Sequence, residues 1–316
     1  MTDPATRARA PDSVAVLADL HGNLPALGAV VDDLRSVAPE QVVVNGDMVN
    51  RGPDGAAVLD VIDALGWSMV LGNHDDLLVK WVARDPAIPK AYFGDRFWRS
   101  TGWCAERLAE TGWLERIAEL PLTIAFGAPD GPPAAGSVLV SHGSPRHYRE
   151  GYGSYLADQA ISEIVEMHPY DLLVGSHTHQ PLERRWGAHL LLNTGAVGTP
   201  FNGDPRAQYL VLRRDGEEAR WRHEFRKVAY DRESALEDYQ RSGYLEAGGF
   251  SARIYWLELA TARSWLAPFL MWSERAGVER SENSWRSFVR ERGRPLEAPD
   301  EVGQDVVMRS GLAVFP

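Results

Sequence analysis

The chain has 316 residues, of which 44% are hydrophobic and 24% are charged, proportions typical of a globular protein with a substantial core. Its 33 basic and 44 acidic residues give a formal net charge of −11, which argues against a surface that coats nucleic acid. We therefore expect no stable nucleic-acid partner, although a small phosphorylated ligand can still bind at a local positive centre.

The first quarter of the chain alternates between short apolar strands and helical patterns. Strands are predicted in "SVAVLADLHGN", "QVVVNGD" and "WSMVLGNHD", and the segments between them carry apolar residues at helical spacing. Repeated strand, turn and helix predict right-handed βαβ units and a largely parallel sheet at this end of the chain.

Residues 80–120 depart from this rhythm and read as an inserted helical cap that is rich in tryptophan. Strands return in "PLTIAF", "SVLVSHGS", "DLLVGSHTH", "HLLLNTGAVG" and "RAQYLVLRR", and helices follow from about residue 231. We expect a main domain over 1–266 and a helical or irregular extension over 267–316. The tryptophans of both helical regions are either core filler or a stacking surface for a nucleobase.

Two features bear on the compartment. Cys104 is the only cysteine, so no intrachain disulfide can form. The apolar run after the polar N-terminus is too short for a signal peptide, and no window approaches the roughly 18 apolar residues of a membrane span. We expect a cytoplasmic protein without membrane contact, and the sequence leaves its oligomeric state open.

Polar side chains gather where the predicted strands end. Five of the nine histidines lie at such positions, together with three aspartates, of which Asp75 is one, and an asparagine. Ligand sites of open α/β sheets lie beyond the carboxyl ends of strands, and strand ends need no imidazole for stability. The clustering therefore indicates a ligand, bound by some or all of Asp19, His21, Asp47, Asn73, His74, His142, His177 and His179.

Imidazole and carboxylate groups without thiolates favour divalent metals such as Mn, Fe, Zn, Co or Ni. The set is too large for one tetrahedral ion but suits two, and Asp47, alone on its loop, is the natural bridging carboxylate. Two such ions carry four positive charges against two negative ones from Asp19 and Asp47. The remaining positive charge would hold a phosphate group inside an otherwise acidic protein.

Five motifs in this order, "DLH", "GD", "GNHD", "SHG" and "GSHTH", resemble the signatures of the calcineurin-like metallophosphoesterase superfamily. The similarity continues through "NTGAVGTPFNGDPRAQY" and covers roughly the first 230 residues. The arrangement is most similar to the compact bacterial phosphodiesterase branch. The stretch "GDMVNRGPD" also resembles protein phosphatases and symmetrical diadenosine tetraphosphatases.

The resemblance implies an α/β fold, a four-layer α/β/β/α sandwich, here with the helical insert and the C-terminal extension. It implies two divalent ions, with manganese as the first expectation and Fe, Zn, Ni or Co as alternatives. One ion would be bound by Asp19, His21, Asp47 and His179, and the other by Asp47, Asn73, His142 and His177.

The reaction implied by the resemblance is hydrolysis of a small, nucleotide-like phosphodiester by in-line attack of a metal-bridging hydroxide. His74 would be the general acid or a transition-state stabiliser. The alternatives are a phosphomonoesterase, a Ser/Thr protein phosphatase, a diadenosine tetraphosphatase-like hydrolase and a non-catalytic scaffold. A scaffold would have lost metal ligands, whereas this sequence retains every expected one.

Several residues near the motifs allow two interpretations. Arg51 either pairs with a surface acid or, like the matching arginine of protein phosphatases, contacts the substrate phosphate. Asn50 stands where protein phosphatases have an acid, which counts against that class. Asp75 is expected to be the N-cap of the following helix, and the alternative is that it replaces the missing acid as the partner of His74. The loop after His142 offers either substrate-binding groups or solvated side chains at Arg146, His147, Arg149 and Tyr152.

Overall fold

The computed structural model describes residues 11–127, 136–215 and 221–292. These residues form ten strands and ten α-helices. The strands are β1 (Ser13–Leu17), β2 (Gln41–Asn45), β3 (Ser68–Val70), β4 (Thr123–Phe126), β5 (Val138–Ser141), β6 (Leu172–Gly175), β7 (Pro181–Trp186), β8 (His189–Thr194), β9 (Ala207–Arg214) and β10 (Trp221–Val228). The helices are α1 (Leu24–Val37), α2 (Gly55–Ala64), α3 (Asn73–Ala83), α4 (Arg99–Ala109), α5 (Trp113–Ala118), α6 (Asp158–Met167), α7 (Arg232–Arg241), α8 (Tyr244–Thr261), α9 (Leu266–Ala276) and α10 (Glu282–Arg292).

The strands form two five-stranded mixed sheets, in the orders β10-β9-β1-β2-β3 and β4-β5-β6-β8-β7. Each sheet has three neighbouring parallel strands, β1-β2-β3 in the first and β5-β6-β8 in the second. The remaining strands pair antiparallel at the flanks. The parallel pairing predicted for the first three strands is confirmed.

The two sheets pack face to face because alternate residues of each strand point to opposite sides. Val14 and Val16 of β1 pack in one buried cluster with Val138 and Val140 of β5. The intervening residue of β1, Ala15, belongs instead to a cluster with the helices. Strands covered on both faces read as continuous apolar runs, which explains why these strands were found from sequence.

Helices cover the outer face of each sheet. α6 packs on the second sheet through Ile161 and Ile164, which contact the side of Leu139 and Leu173 that faces away from the first sheet. The other nine helices of the described residues all contribute side chains to the larger cluster, which lies on the first sheet. The predicted four-layer α/β/β/α sandwich is confirmed.

The predicted insert at 80–120 contains the end of α3, two short 3-10 turns, α4 and α5. Its tryptophans join the same cluster as the C-terminal helices, and Trp81, Trp98 and Trp113 are buried there. The tryptophans of the insert and of the C-terminal helices thus pack with the core. The predicted boundary at 266 falls at the first residue of α9, and the division at that point stays a prediction; residues 293–316 of the extension lie outside the described residues.

Beyond residue 266 the helices α9 and α10 are held by aromatic contacts. Phe269 lies 5.8 Å from Phe250 of α8 and 5.3 Å from Trp285 of α10, measured between ring centroids. Such edge-to-face pairs stabilise helix packing beyond the apolar area that they bury. Within the described ranges, no helix combines the length and the apolarity needed to cross a bilayer.

Candidate metal centre

The ligand candidates lie on loops that follow the parallel strands of both sheets. Loops after β1, β2 and β3 bring one part of the set, and loops after β5 and β6 bring the rest. Because the two sheets face each other, these loops meet at one edge of the sandwich. The structure brings together all seven predicted ligands, which are Asp19, His21, Asp47, Asn73, His142, His177 and His179.

The backbone of these loops adopts a conformation that most residues avoid. Ten non-glycine residues in the described ranges have positive φ, and three of them end helices. The other seven lie at this site: Asp19, His21, Asp47, Asn50, Arg51, His177 and His179. A left-handed conformation costs a residue roughly 1–2 kcal/mol. Such strain persists only where surrounding contacts impose it, and it concentrates at functional sites.

Two glycines allow the loops after β2 and β3 to touch. Gly46 has φ 79°, and a Cβ there would lie 2.7 Å from both the Cα of Gly72 and Nδ1 of His142. A Cβ on Gly72 would lie 2.1 Å from the backbone nitrogen of Asp47. Any side chain at either position would separate the two loops, so the "GD" and "GNHD" glycines are needed for this close approach.

The Asp75 carboxylate anchors the same two loops. It accepts hydrogen bonds from the backbone N–H groups of Asp47 (2.8 Å), Met48 (2.9 Å), Val49 (3.2 Å) and Gly72 (3.0 Å). The expectation that Asp75 is the N-cap was wrong, because α3 begins at Asn73 and Asp75 is its third residue. Its side chain bonds back to Gly72 and across to the neighbouring loop, which holds the bridging candidate Asp47 in place.

The first group of candidate ligands comprises Asp19, His21 and His179, whose ligand atoms all lie within 4.8 Å of one another. Nε2 of His179 is 3.3 Å from Nε2 of His21 and 3.5 Å from Oδ1 of Asp19. All three residues are buried. Two imidazole nitrogens at such a distance can both be ligands of one cation.

The second group comprises Asp47, His142 and His177, again with ligand atoms within 4.8 Å. Nε2 of His142 is 3.3 Å from Oδ2 of Asp47 and 3.2 Å from Oδ1 of Asn73. The same Asp47 oxygen lies 3.8 Å from Nε2 of His21 in the first group. Asp47 is therefore in contact with both groups, as a bridging ligand would be.

Backbone carbonyl groups fix the tautomers of three imidazoles. Nδ1 of His142 lies 2.8 Å from the Asn45 carbonyl oxygen, and Nδ1 of His179 lies 2.5 Å from that of Thr199. Nδ1 of His21 similarly faces the carbonyl of Val49 at 3.3 Å. Since a carbonyl oxygen only accepts, each Nδ1 donates its proton and Nε2 is the nitrogen that faces the centre, the arrangement of metal-binding histidines.

The donor set fits divalent cations. Oδ1 of Asp19 and Oδ2 of Asp47 are buried and have no hydrogen-bond partner among the described residues. Burial raises the pKa of Asp19 well above its ordinary value, and Asp47 adds to the effect. For His142, burial acts to lower the pKa, but the Asp47 carboxylate outweighs it and raises the pKa to about 10. Buried acceptors without partners are costly, and cations coordinated by these oxygens and nitrogens would satisfy them.

His74 lies beside the centre but makes different contacts. Its backbone N–H donates to Oδ1 of Asp47 at 2.7 Å, and its ring is 5.0 Å from that of His21. The Asn50 amide accepts from the N–H of Arg51 at 2.8 Å, which orients its nitrogen toward Nδ1 of His74 at 3.0 Å. The amide nitrogen donates, so Nδ1 of His74 accepts and its ring proton is on Nε2. Burial lowers the pKa of His74 to about 3, which keeps the ring neutral.

Arg51 is buried next to the centre and does not pair with a surface acid. Its guanidinium lies 5.0 Å from the Tyr255 ring and 5.7 Å from the Phe201 ring. Phe201 stacks on His179 with the ring centroids 4.2 Å apart. The ionic partner of Arg51 is the buried carboxylate of Glu258 on α8, with Nη2 of Arg51 and Oε2 of Glu258 3.6 Å apart.

The side chains of the loop after His142, which were expected to be either substrate-binding groups or solvated, have different surroundings. Arg146 forms ion pairs with Glu150 and Glu163, which favours the interpretation as a solvated side chain. Tyr152 is buried under the second sheet's outer face and is not a substrate-binding group. Burial and the neighbouring Arg149 lower the pKa of His147, and the tilted ring of Tyr148 packs against it.

Three residues that support the site were missed from sequence: Phe201, Glu258 and Asn193. Asn193, at the end of β8, donates through its amide nitrogen to the carbonyl oxygens of Ser176 (2.6 Å) and Tyr152 (3.0 Å). It thereby anchors the loop that carries His177 and His179. The "NTG" pattern could have indicated it, since it follows an apolar strand in the same way as the ligand motifs.

Comparison with known proteins agrees with this geometry. Residues 13–181 match the family model described as calcineurin-like phosphoesterase. An uncharacterized protein from Methanocaldococcus jannaschii is 26% identical over 239 residues, which cover 71% of this chain and 90% of that protein. A symmetrical bis(5'-nucleosyl)-tetraphosphatase from Pectobacterium atrosepticum is 45% identical over 67 residues, only 20% of this chain and 24% of that enzyme.

Solved structures show the same fold. A metallophosphoesterase from Sphaerobacter thermophilus aligns with a TM-score of 0.58 and 24% identity, covering 79% of this chain and 99% of that one. A hypothetical protein from Pyrococcus horikoshii aligns with a TM-score of 0.60 and 20% identity, covering 77% and 97%. The family match spans more than half of the described chain and includes both candidate triads. This protein belongs to the calcineurin-like phosphoesterase family, whose members are metal-dependent hydrolases of phosphoric esters.

Proposed function

We propose that this protein is a dinuclear metal-dependent phosphodiesterase that hydrolyses a small, nucleotide-like phosphate ester. The observation that carries the proposal is the pair of ligand triads that meet at Asp47, of which every member except the half-buried His177 is buried. Asp19, His21, Asp47 and His179 would hold one ion, and Asp47, Asn73, His142 and His177 the other. When bound, two divalent ions would supply an acidified water and would offset the negative charge of a phosphoryl group.

The residues around the ions would bind and orient the substrate. Arg51 would donate to phosphate oxygens, a task for which its planar group of five donors is suited. Of the two roles expected for His74, we propose the stabilising one. Its Nδ1 accepts from Asn50, which leaves Nε2–H to donate to an oxygen that gains charge as the ester bond breaks.

A second candidate is hydrolysis of dinucleoside tetraphosphates. The local similarity to the symmetrical bis(5'-nucleosyl)-tetraphosphatase supports it, although that similarity covers a small part of either chain. Asn50 supports either candidate over a protein phosphatase, because an amide cannot stabilise an imidazolium as the acid of that class does. The native metal, for which we propose manganese, and the cytoplasmic location stay predictions.

The test combines metal analysis with a substrate panel. Protein purified without chelator should contain about two ions per chain, and with Mn²⁺ it should hydrolyse bis-p-nitrophenyl phosphate faster than p-nitrophenyl phosphate. The panel then compares 2',3'- and 3',5'-cyclic nucleotides, dinucleoside tetraphosphates and phosphopeptides. A preference for the monoester, or an absence of metal-dependent turnover, would contradict the proposal.

A further inference from the structure

Arg51 is held by a helix from the other end of the chain. It has φ 66° and is only 9% exposed, and its guanidinium lies against Tyr255 of α8. Glu258, one helical turn further along α8, is its ionic partner. The loop carrying Arg51 also contacts α4, where the Cys104 thiol donates to the carbonyl oxygen of Gly52 at 3.7 Å. Arg51, with its left-handed backbone conformation, thus lies in a loop that contacts both α4 and α8.

Glu258 is itself fixed by a helix terminus. Its Oε1 accepts hydrogen bonds from the backbone N–H groups of Trp265 and Leu266, both at 2.8 Å, where α9 begins. N–H groups at the start of a helix carry a partial positive charge and favour an anion. The other oxygen, Oε2, is buried without a hydrogen-bond partner among the described residues and lies on the side of Arg51.

This pair is not built as a stabilising salt bridge. At 3.6 Å, Nη2 and Oε2 are within ion-pair distance but beyond a good hydrogen bond, and Nε of Arg51 also has no partner among the described residues. Burying two charges in imperfect contact costs free energy. The arrangement keeps the guanidinium in one place while leaving donor capacity for another acceptor.

We propose that Glu258 is a positioning residue that aims Arg51 at a phosphate group of the substrate, so that α8 completes the site formed by the strand-end loops. The inference rests on the proposed function, in which Arg51 binds phosphate. The contact of Arg51 with Phe201, and of Phe201 with His179, places this guanidinium next to the metal centre. Glu258 acts through Arg51 and does not touch the substrate.

The test substitutes Glu258→Gln, which keeps an oxygen for the N–H groups of α9 and removes the charge that faces Arg51. Calorimetric titration of the Mn²⁺-loaded protein with inorganic phosphate should show about tenfold weaker binding, because a guanidinium displaced by a fraction of an ångström loses aligned contacts. KM for the best substrate should rise by a similar factor with a smaller change in kcat, and metal content should stay the same. Glu246→Gln, an exposed change on the same helix, is the matched control.

A double-mutant cycle separates positioning from general destabilisation. In an Arg51→Gln background, Glu258→Gln should have no further effect on phosphate affinity. Phosphate affinity within twofold of wild type, or an undiminished loss in the Arg51→Gln background, would overturn the inference. If Glu258→Gln does not fold, Glu258→Asp, which retracts the charge by one methylene, should show a partial loss, and an unchanged affinity there would overturn it equally. A wild-type protein that neither binds phosphate nor hydrolyses esters with Mn²⁺ would instead refute the proposed function.

Discussion

The strand-end loops of the metal centre differ in composition from the helical layer, by which we mean α8, α9 and α10 with their aromatic contacts. Both regions have many buried residues. The loops carry acids and imidazoles in left-handed conformations with unsatisfied oxygens, as at Asp19 and Asp47. The helical layer consists of ordinary helices joined by rings, as around Phe269. The packing of the helices and the binding of metal thus depend on different parts of the fold. Substitutions should therefore affect one without the other.

The largest effect is expected from Asp47→Asn in the loops. An amide cannot bridge two cations as a carboxylate does, so metal content and turnover should fall together. Loss of several kcal/mol of transition-state stabilisation corresponds to at least about a thousandfold in kcat/KM. Metal analysis and steady-state kinetics measure both, with the exposed Asp32→Asn as control. A variant that keeps two ions and full turnover would refute the bridging role.

Phe269→Ala tests the helical layer. Removing a fully buried ring that contacts α8 and α10 should lower the free energy of unfolding by roughly 3 kcal/mol. Ions bound per folded molecule should not change, because no ligand lies in this layer. Chemical denaturation and metal analysis of the folded fraction are the measurements, and Phe269→Leu should lose less stability. Metal loss in the folded fraction would show that the two regions are not independent.

Asn193→Ala tests a residue that supports the loops without being a ligand. The carbonyl oxygens of Ser176 and Tyr152 would lose their common donor, and the loop with His177 and His179 would become less ordered. Loss of such outer contacts weakens metal binding by about 10–100-fold. Competition with a chelator of known affinity measures it, and the exposed Asn283→Ala should leave it unchanged. Unaltered metal affinity would mean that the loop is held by other contacts.

The smallest effect concerns pH and lies away from the site. The Arg226 guanidinium donates to both carboxylate oxygens of Asp33 at 2.9 Å, and the Tyr209 hydroxyl donates to the same carboxylate at 2.6 Å. The bonds from Arg226, and then that from Tyr209, lower the pKa of Asp33. This stabilisation is therefore present above the unfolded-state pKa of about 3.9 and is lost as the pH falls through the lower folded-state value.

Asp33→Asn should accordingly cost roughly 1 kcal/mol of unfolding free energy at neutral pH, since the group is partly exposed. The cost should shrink toward zero in acid. Denaturation curves of both proteins between neutral pH and pH ~3 measure this difference. A difference independent of pH would mean that packing, and not the charge of Asp33, is responsible.

The sequence predicted the loops better than their supports. The ligand candidates were found because carboxylates and imidazoles after apolar strands are unusual residue types in unusual places. Glu258 was not found, because a glutamate within an ordinary helical pattern carries no sign that it lies against Arg51 in the fold. Only the packing of α8 on the Arg51 loop brings the two together.

The strands β7 and β10 were also missed, and the reason is their place in the sheets. Both are edge strands, and their sequences "PLERRW" and "WRHEFRKV" are rich in charged residues with no fully buried position. Edge strands of this kind resist unwanted pairing with other chains, but their apolar signal is weak. The central strands are covered on both faces, so their residues are almost all apolar and their sequences predicted strands clearly.

The Asp75 carboxylate has a consequence for how the ions come and go. Because it accepts from four backbone N–H groups of two loops, a protein group holds these loops together whether or not an ion is bound. Small zinc domains, in contrast, melt when stripped of their cation. Here the loops should keep their arrangement after a chelator removes the metal. One divalent ion could then replace another without refolding, and the ion that is most available in the cell would be the one bound.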